Sequence, residues 1–278
     1  MGTHEMQKKY FFILVAVLFC AFNVNYAAVS NNESNDNEVL DEVLLKSSQY
    51  CSKLAHAVLD FICKEKVTID FFNAGRGWKE QQKYRTQEWV YDYQLIGKGL
   101  ELNEQRILLE KDRKKVSEEP DVIERVFPHS LLILGPIGLL SEYWQEHHDY
   151  MIKKRGRLFG EKIYVIEALP KPGCATEHLW GKAWISQDDF SILKIEWNQE
   201  SAEGYESLVH EAEQQNLKPD FTLIAEYKYE KNGIRFPSKF VLIENYRHPW
   251  YNIIRNSKKT VMYYDYKFFT VKTDVVFK

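Results

Sequence analysis

Apolar residues recur at spacings of three and four between Glu38 and Lys64, at Leu40, Val43, Leu44, Cys51, Leu54, Ala55, Val58, Phe61 and Ile62. This period predicts an amphipathic first helix over that span. Gly75 to Thr86 has no clean period and reads as a loop. The period then changes to two: Glu88 to Ile96 places Trp89, Tyr91, Tyr93 and Leu95 on one face of a strand, opposite Val90, Asp92, Gln94 and Ile96. Gly97 and Gly99 supply a flexible connection to Glu104–Lys114, which carries Ile107, Leu108 and Leu109. Together the two segments predict an antiparallel hairpin.

Gly135 and Pro136 open a second helical stretch, since proline suits a first helical turn, with Ile137, Leu140, Tyr143, Trp144, His147 and Met151 along one face. Strand-like segments follow at Lys162–Leu169, Leu179–Ser186, Ile192–Trp197, Phe221–Tyr229, Phe236–Tyr246 and Thr260–Phe277. Turn residues punctuate them, notably Lys171, Pro172 and Gly173, then Asp188 and Asp189, then Lys231, Asn232 and Gly233. Tyr205, Leu208, Val209 and Ala212 lie at helical spacing within Gly204–Leu217, an inserted helix that Pro219 ends. The expected fold is α+β: about eight strands form one large curved antiparallel sheet, an incomplete β-barrel, covered by helices.

The concave face of that sheet would carry Trp89, Tyr91, Leu193, Ile195, Trp197, Leu223, Tyr227, Phe240 and Leu242. With Tyr93 of the hairpin and Ile137, Leu140 and Trp144 of the second helix, these are the candidate ligand-binding residues. Such a face is either an ordinary core packed by the first helix or an apolar cavity, and the pattern leaves both open. In a cavity, each buried methylene of an acyl chain contributes about 0.8 kcal/mol, so no charged anchor is needed. Tyrosines at the rim would hydrogen-bond an ester or headgroup.

Composition narrows the function. Of 278 residues, 45% are hydrophobic and 14% aromatic, which excludes intrinsic disorder and low-complexity classes. A net charge of −3 offers no basic field for phosphates, so nucleic acid is not an expected partner. Motifs for a nucleophile elbow, a phosphate-binding loop, a dinucleotide fold and paired CxxC are absent. Glu146, His147, His148 and Asp149 form the densest cluster of ionisable groups. Adjacent helical residues point about 100° apart, so the cluster reads as a solvated helix surface with one half-buried histidine. Asp188 and Asp189 suit a turn rather than paired catalytic carboxylates, and Cys174 with His178 lacks a second ligand pair. Lys111, Arg113, Lys114 and Lys115 are interleaved with Glu110, Asp112, Glu118 and Glu119, as at a solvated hairpin end. The expectation is a non-enzymatic protein without cofactor or metal.

Lys8 and Lys9 precede the apolar run Tyr10–Phe22, then Asn23 to Ala28, the order of a secretory signal cut near Ala27 or Ala28. The run is too short for the roughly 20 residues of a spanning helix. Acylation at Cys20 is disfavoured by bulky Phe19 before it. The expected protein is periplasmic or otherwise exported: residues 1–28 a signal peptide, 29–37 a disordered leader, 38–278 one domain. Cys51, Cys63 and Cys174 then remain. In one continuous helix Cys51 and Cys63 lie about 18 Å apart, too far for a disulfide, which leaves a Cys174 bridge or buried thiols. Burial is the expectation.

The strand series also resembles the bacterial lipoprotein carriers, the LolA/LolB-like and outer-membrane lipoprotein-sorting proteins. The resemblance rests on WVYDYQLI (Trp89–Ile96), RILLEKD (Arg106–Asp112), FGEKIYVIEALPK (Phe159–Lys171), GKAWISQDDFSILKIEW (Gly181–Trp197), YKYEKNGIRFPSKFVLIENY (Tyr227–Tyr246) and YYDYKFFTV (Tyr263–Val271). It implies a half-barrel closed by helices, an apolar cavity for lipid or lipoprotein acyl chains, no cofactor and no covalent chemistry. The family's arginine-proline stretch is not recognisable, Arg85 being followed by Thr86, and the Gly204–Leu217 helix is an addition. Two rivals stand beside the carrier: a module with a filled core that recognises an envelope protein, and a hydrolase whose site is assembled from distant residues.

Overall fold

The computed structural model describes residues 36–57, 60–73, 82–98, 101–116, 132–174, 179–202, 204–249 and 252–269. The predicted signal peptide, residues 29–35 of the predicted leader and residues 270–277 of the last predicted strand lie outside them. The chain divides into two compact units, residues 1–45 and 46–278, and the sheet belongs to the second.

A helix, α1, runs over residues 36–55. It ends well before Lys64, and residues 36 and 37, predicted as disordered, lie within it. Phe61–Phe72 is instead the first strand, β1. Phe61, Cys63, Glu65 and Val67 alternate with half-exposed neighbours, a period of two that overrides the helical spacing of Phe61 and Ile62. The helix that was to hold Cys51 and Cys63 together is therefore two elements, and both thiols are free and buried.

Lys83–Lys98 forms β2, which absorbs the end of the predicted loop, and Glu101–Lys111 and Lys114–Lys115 form β3 and β4. The second predicted helix is two short ones: a 3₁₀ turn at Leu132–Leu134 leads into α2, Gly135–Leu140, and α3 is Glu142–His147. Ser141 takes an extended backbone (φ −66°, ψ 157°) between them. The chain then enters β5, His148–Leu158, so Met151 stands exposed on a strand rather than on a helix face. Glu161–Pro170, Gly181–Ser186 and Ile192–Trp197 are β6, β7 and β8. The inserted helix is α4, Tyr205–Glu213. Lys218–Glu226 is β9, the small hairpin Tyr229–Lys231 and Ile234–Phe236 is β10 and β11, and Lys239–His248 and Asn252–Phe268 are β12 and β13. Asn232 and Gly233, within the turn predicted over Lys231, Asn232 and Gly233, both have positive φ, 56° and 70°, as a two-residue hairpin turn requires.

Eleven strands make one curved antiparallel sheet in the order β4-β3-β2-β1-β13-β12-β9-β8-β7-β6-β5. Its edge strands, β4 and β5, are not paired with each other, so the sheet is an open, incomplete barrel. The registers align one row across eight strands: Ile166, Ala183, Ile195, Ala225, Phe240, Val261, Val67 and Trp89. Every member is buried. The other face carries a ladder of ion pairs, among them Lys64–Asp92 at 2.8 Å, Lys66–Glu88 at 3.2 Å and Lys194–Glu196 at 3.0 Å. These are partly exposed and contribute little each; their role is to keep that face wet. The edge strand β5 presents exposed Lys153, Lys154, Arg155 and Arg157, and its register shifts between Ile152 and Lys154.

At Gly181 a Cβ would lie 2.8 Å from the Cα of Trp197 and 2.9 Å from the backbone nitrogen of Asn198. Backbone atoms cannot give way as a flexible side chain can, so Gly181→Ala is expected to destabilise the fold by about 1–3 kcal/mol, read as a lower urea midpoint at unchanged slope.

Candidate functional site

The predicted ligand-binding residues share one face but not one environment. Trp89, Ile195 and Phe240 belong to the eight-strand row, and Trp197, Leu223 and Leu242 to the row beside it. Tyr91 and Tyr93 continue the same face of β2. Leu193 is separated from them: the β7–β8 register shifts beside it, and it packs with Ile163 and Val165 against Leu158 and Trp184. Tyr227 follows β9; its backbone N–H donates to the Leu193 carbonyl at 2.8 Å and its hydroxyl to the Leu132 carbonyl at 2.8 Å.

Residues 132–140 cover this end of the face. A Cβ on Gly135 would lie 2.6 Å from the Tyr227 hydroxyl, 3.1 Å from Cζ2 of Trp197 and 3.4 Å from Cδ1 of Ile195, so the bare backbone of α2 rests on those three side chains. Only glycine allows that approach. Further bonds hold the cover: Cys51 Sγ donates to the Pro136 carbonyl at 3.3 Å, and the Tyr150 hydroxyl to the Leu139 carbonyl at 2.7 Å. Leu140 is fully buried, whereas Ile137 and Trp144 are half-buried. Trp144 meets Tyr143, His147 and His148 at ring-centroid distances of 5.0, 5.7 and 6.1 Å.

Burial pushes the Cys51 thiol up to about 12 and raises that of Cys63, so neither is a thiolate at neutral pH. Among the described residues no group of three or more His, Cys, Asp and Glu is placed to hold a metal, and no helix is long and apolar enough to cross a membrane. A cavity of about 300 Å³ lies at the irregularity between β1 and β13, lined by Ile62, Cys63, Lys64, Asp92, Asp265, Tyr266 and Lys267. None of these is a predicted ligand-binding residue.

Polar groups absent from the expected face also occupy it. Glu65 has no solvent exposure and accepts from Arg106 Nε at 2.8 Å, while Arg106 Nη1 donates to Glu104 at 3.0 Å. The Tyr93 hydroxyl donates to Glu104 at 2.6 Å, and the Arg106 guanidinium lies 4.9 Å over the Tyr93 ring. Burial and the neighbouring Glu104 charge raise the Tyr93 phenol above its ordinary range, so Tyr93 stays a neutral donor. Farther along, Glu244 accepts from Ser257 at 2.8 Å and from Tyr246 at 2.9 Å, and Lys259 is buried between Leu242 and Ile69. The available signal was parity: Glu65 lies an even number of residues from Phe61 and Val67, but it is visible only once β1 is read as a strand.

His148 is the buried member of the predicted histidine cluster, and its Nδ1 lies 2.8 Å from the Trp144 carbonyl. Burial lowers its pKa below the ordinary 6.5, outweighing that bond, which favours the protonated ring.

No family model and no curated protein matches this sequence. Solved structures do. A LolA superfamily protein from Nitrosomonas europaea is 12% identical with a TM-score of 0.36, covering 84% of this chain and 96% of that one. A DUF1329 family protein from Desulfovibrio piger is 12% identical with a TM-score of 0.33, covering 84% and 93%. A domain from Vibrio parahaemolyticus named for outer membrane lipoprotein sorting is 13% identical with a TM-score of 0.37, covering 83% and 94%.

Two outcomes follow for the buried charges. Glu65→Ala leaves the Arg106 guanidinium to Glu104 alone and is expected to cost about 1–3 kcal/mol, whereas Glu65→Leu combined with Arg106→Leu costs less, as chemical denaturation of the two variants will show. The His148 term is present in full above its unfolded pKa and fades as pH falls through the lowered folded value, because the unfolded chain takes up the proton first. The urea midpoint is expected to fall as pH drops below the ordinary histidine value of about 6.5, and to fall less in His148→Gln.

Proposed function

We propose that this chain is a non-enzymatic carrier of the cell envelope that shelters acyl chains, of lipid or of a lipoprotein, on the apolar face of its open sheet. The observation that carries the proposal is the buried apolar row across eight strands of a sheet that does not close on itself. A face that wide exceeds what a short cover needs, and apolar burial there is non-directional, which suits flexible hydrocarbon. The segment 132–147 acts as the lid. Its polar attachments to the rest of the molecule include the bonds from Tyr227, Cys51 and Tyr150 to its carbonyls. Each contributes on the order of 1 kcal/mol, so displacement by an acyl chain is affordable. Trp89, Tyr91 and Tyr93 would line the end of the face toward β3, and Ile195, Trp197 and Tyr227 the part that the lid uncovers.

A second reading is favoured by the close seat of Gly135 on Trp197 and Tyr227, which is the contact of a finished core. On that reading the chain is an interaction module for an envelope protein and takes no ligand.

Residues 29–278 exported to a bacterial periplasm separate the two. Native mass spectrometry with lipid extraction is expected to show bound lipid, and a fluorescent fatty acid is expected to bind saturably to the extracted protein. Protein that is consistently lipid-free and does not bind the probe would leave the filled module.

A further inference from the structure

The β5–β6 hairpin ends in an arrangement that folding alone does not favour. Leu158 lies opposite Glu161, so Phe159 and Gly160 form a two-residue turn, with φ of 53° and 91°. A turn with both φ positive is where asparagine or aspartate stands before glycine. A bulky phenylalanine there is an outlier. Its ring is 42% exposed, with the Lys228 ammonium 3.9 Å from the ring centroid. Immediately behind the turn Arg157 lies directly opposite Lys162, a like-charge pair that weakens a hairpin.

The charge around the turn is not matched locally. Residues 153–162 carry Lys153, Lys154, Arg155, Arg157 and Lys162 against Glu161 alone, in a chain whose net charge is −3. Elsewhere on the sheet cations meet carboxylates, as Lys64 meets Asp92, Lys66 meets Glu88 and Lys194 meets Glu196. Here Glu161 is turned to Arg235 at 2.9 Å, and Lys153 takes Glu167 at 3.1 Å. Among the described residues Lys154, Arg157 and Lys162 have no carboxylate partner; Arg157 donates to the Gly160 carbonyl at 3.0 Å. All three side chains are exposed. Asp188, on the turn whose Gln187 N–H donates to the Lys162 carbonyl, is one exposed carboxylate set against them.

A partner for this tip has to offer negative charge spread over a surface, with apolar matter just beneath it for Phe159. An acidic peptide meets the cations and leaves the ring in water. An anionic bilayer meets both: its phosphates face the cations, and its interface accepts an aromatic ring at headgroup depth. We infer that the β5–β6 hairpin tip docks this chain on an anionic phospholipid surface, with Phe159 entering the interface and Lys154, Arg157 and Lys162 on the phosphates. The docking is independent of whether the sheet holds an acyl chain, since it uses the exposed tip and not the buried face.

Vesicle co-sedimentation of residues 29–278 reads it. The protein is expected to sediment with phosphatidylcholine vesicles that contain about one-third phosphatidylglycerol, at about 0.1 M salt, and to stay in solution with pure phosphatidylcholine. Salt near 1 M, where the screening length is about 3 Å, should release it. Lys154→Gln combined with Lys162→Gln is expected to weaken binding by about 25-fold, roughly fivefold for each cation. Phe159→Asn suits the positive φ, so the urea midpoint should hold or rise while vesicle binding falls by on the order of tenfold. A lower midpoint with unchanged binding makes Phe159 a packing residue and overturns the inference. So does equal sedimentation with neutral and anionic vesicles, which assigns the contact to apolar surface, or sedimentation with neither. Binding of soluble polyglutamate without binding of vesicles assigns the cations to an acidic polypeptide and overturns it as well. None of these outcomes alters the lipid-extraction result, which bears on the acyl-binding reading alone.

Discussion

The pairing of β1 with β13 is the contact on which the sheet depends. Phe61 lies opposite Phe268 and Val67 opposite Val261, residues about two hundred positions apart in sequence. Without it, β1 to β4 would be one small sheet and β5 to β9 with β12 and β13 another, and the eight-strand row would break between Val261 and Val67. A four-strand fragment with a single apolar face has little chance of independent stability. The aromatic cluster at the join shows how the contact is reinforced: Phe61 meets Phe236, Tyr266 and Phe268 at 5.5, 5.2 and 5.9 Å. Such ring pairs add on the order of 1 kcal/mol each beyond their burial. The same join carries the register irregularity beside Cys63, so the place where the two halves meet is also where the ladder is least regular.

The buried face is therefore not uniform. Around β8 and β9 it is dry and packed against the backbone at Gly135; toward β2 and β3 it encloses a guanidinium, two carboxylates and a phenol in mutual contact. Apolar burial sets no orientation, whereas a fixed set of charges does.

Much of this was readable from period alone. Trp89, Tyr91, Tyr93 and Leu95 alternate so clearly that β2 and its inward face follow from the sequence, and Ile192–Trp197 matches β8 residue for residue. The failures have physical causes. Phe61 and Ile62 fit the tail of a helical period as well as the start of a strand, and the strand prevails because Val67, Thr68 and Ile69 favour extended backbone and because β13 and β2 supply partners on both sides. β5 was hidden because an edge strand with KKRGR at its centre has neither alternation nor apolar weight. Glu65 and Arg106 escaped notice because they are forty-one residues apart and nothing local marks either as inward-facing.

An open sheet has to end somewhere, and its ends are unpaired backbone that another chain can copy. At one edge β4 is only two residues long; at the other β5 sets four cations, Lys153, Lys154, Arg155 and Arg157, along a bulged strand. Two molecules meeting along β5 would bring like charges together within the roughly 10 Å over which salt at about 0.1 M leaves them unscreened. The bulge also spoils the straight ladder that an added strand would need. The edge that lets the barrel stay open thus carries charge and a bulge, the two features that disfavour the addition of a further strand.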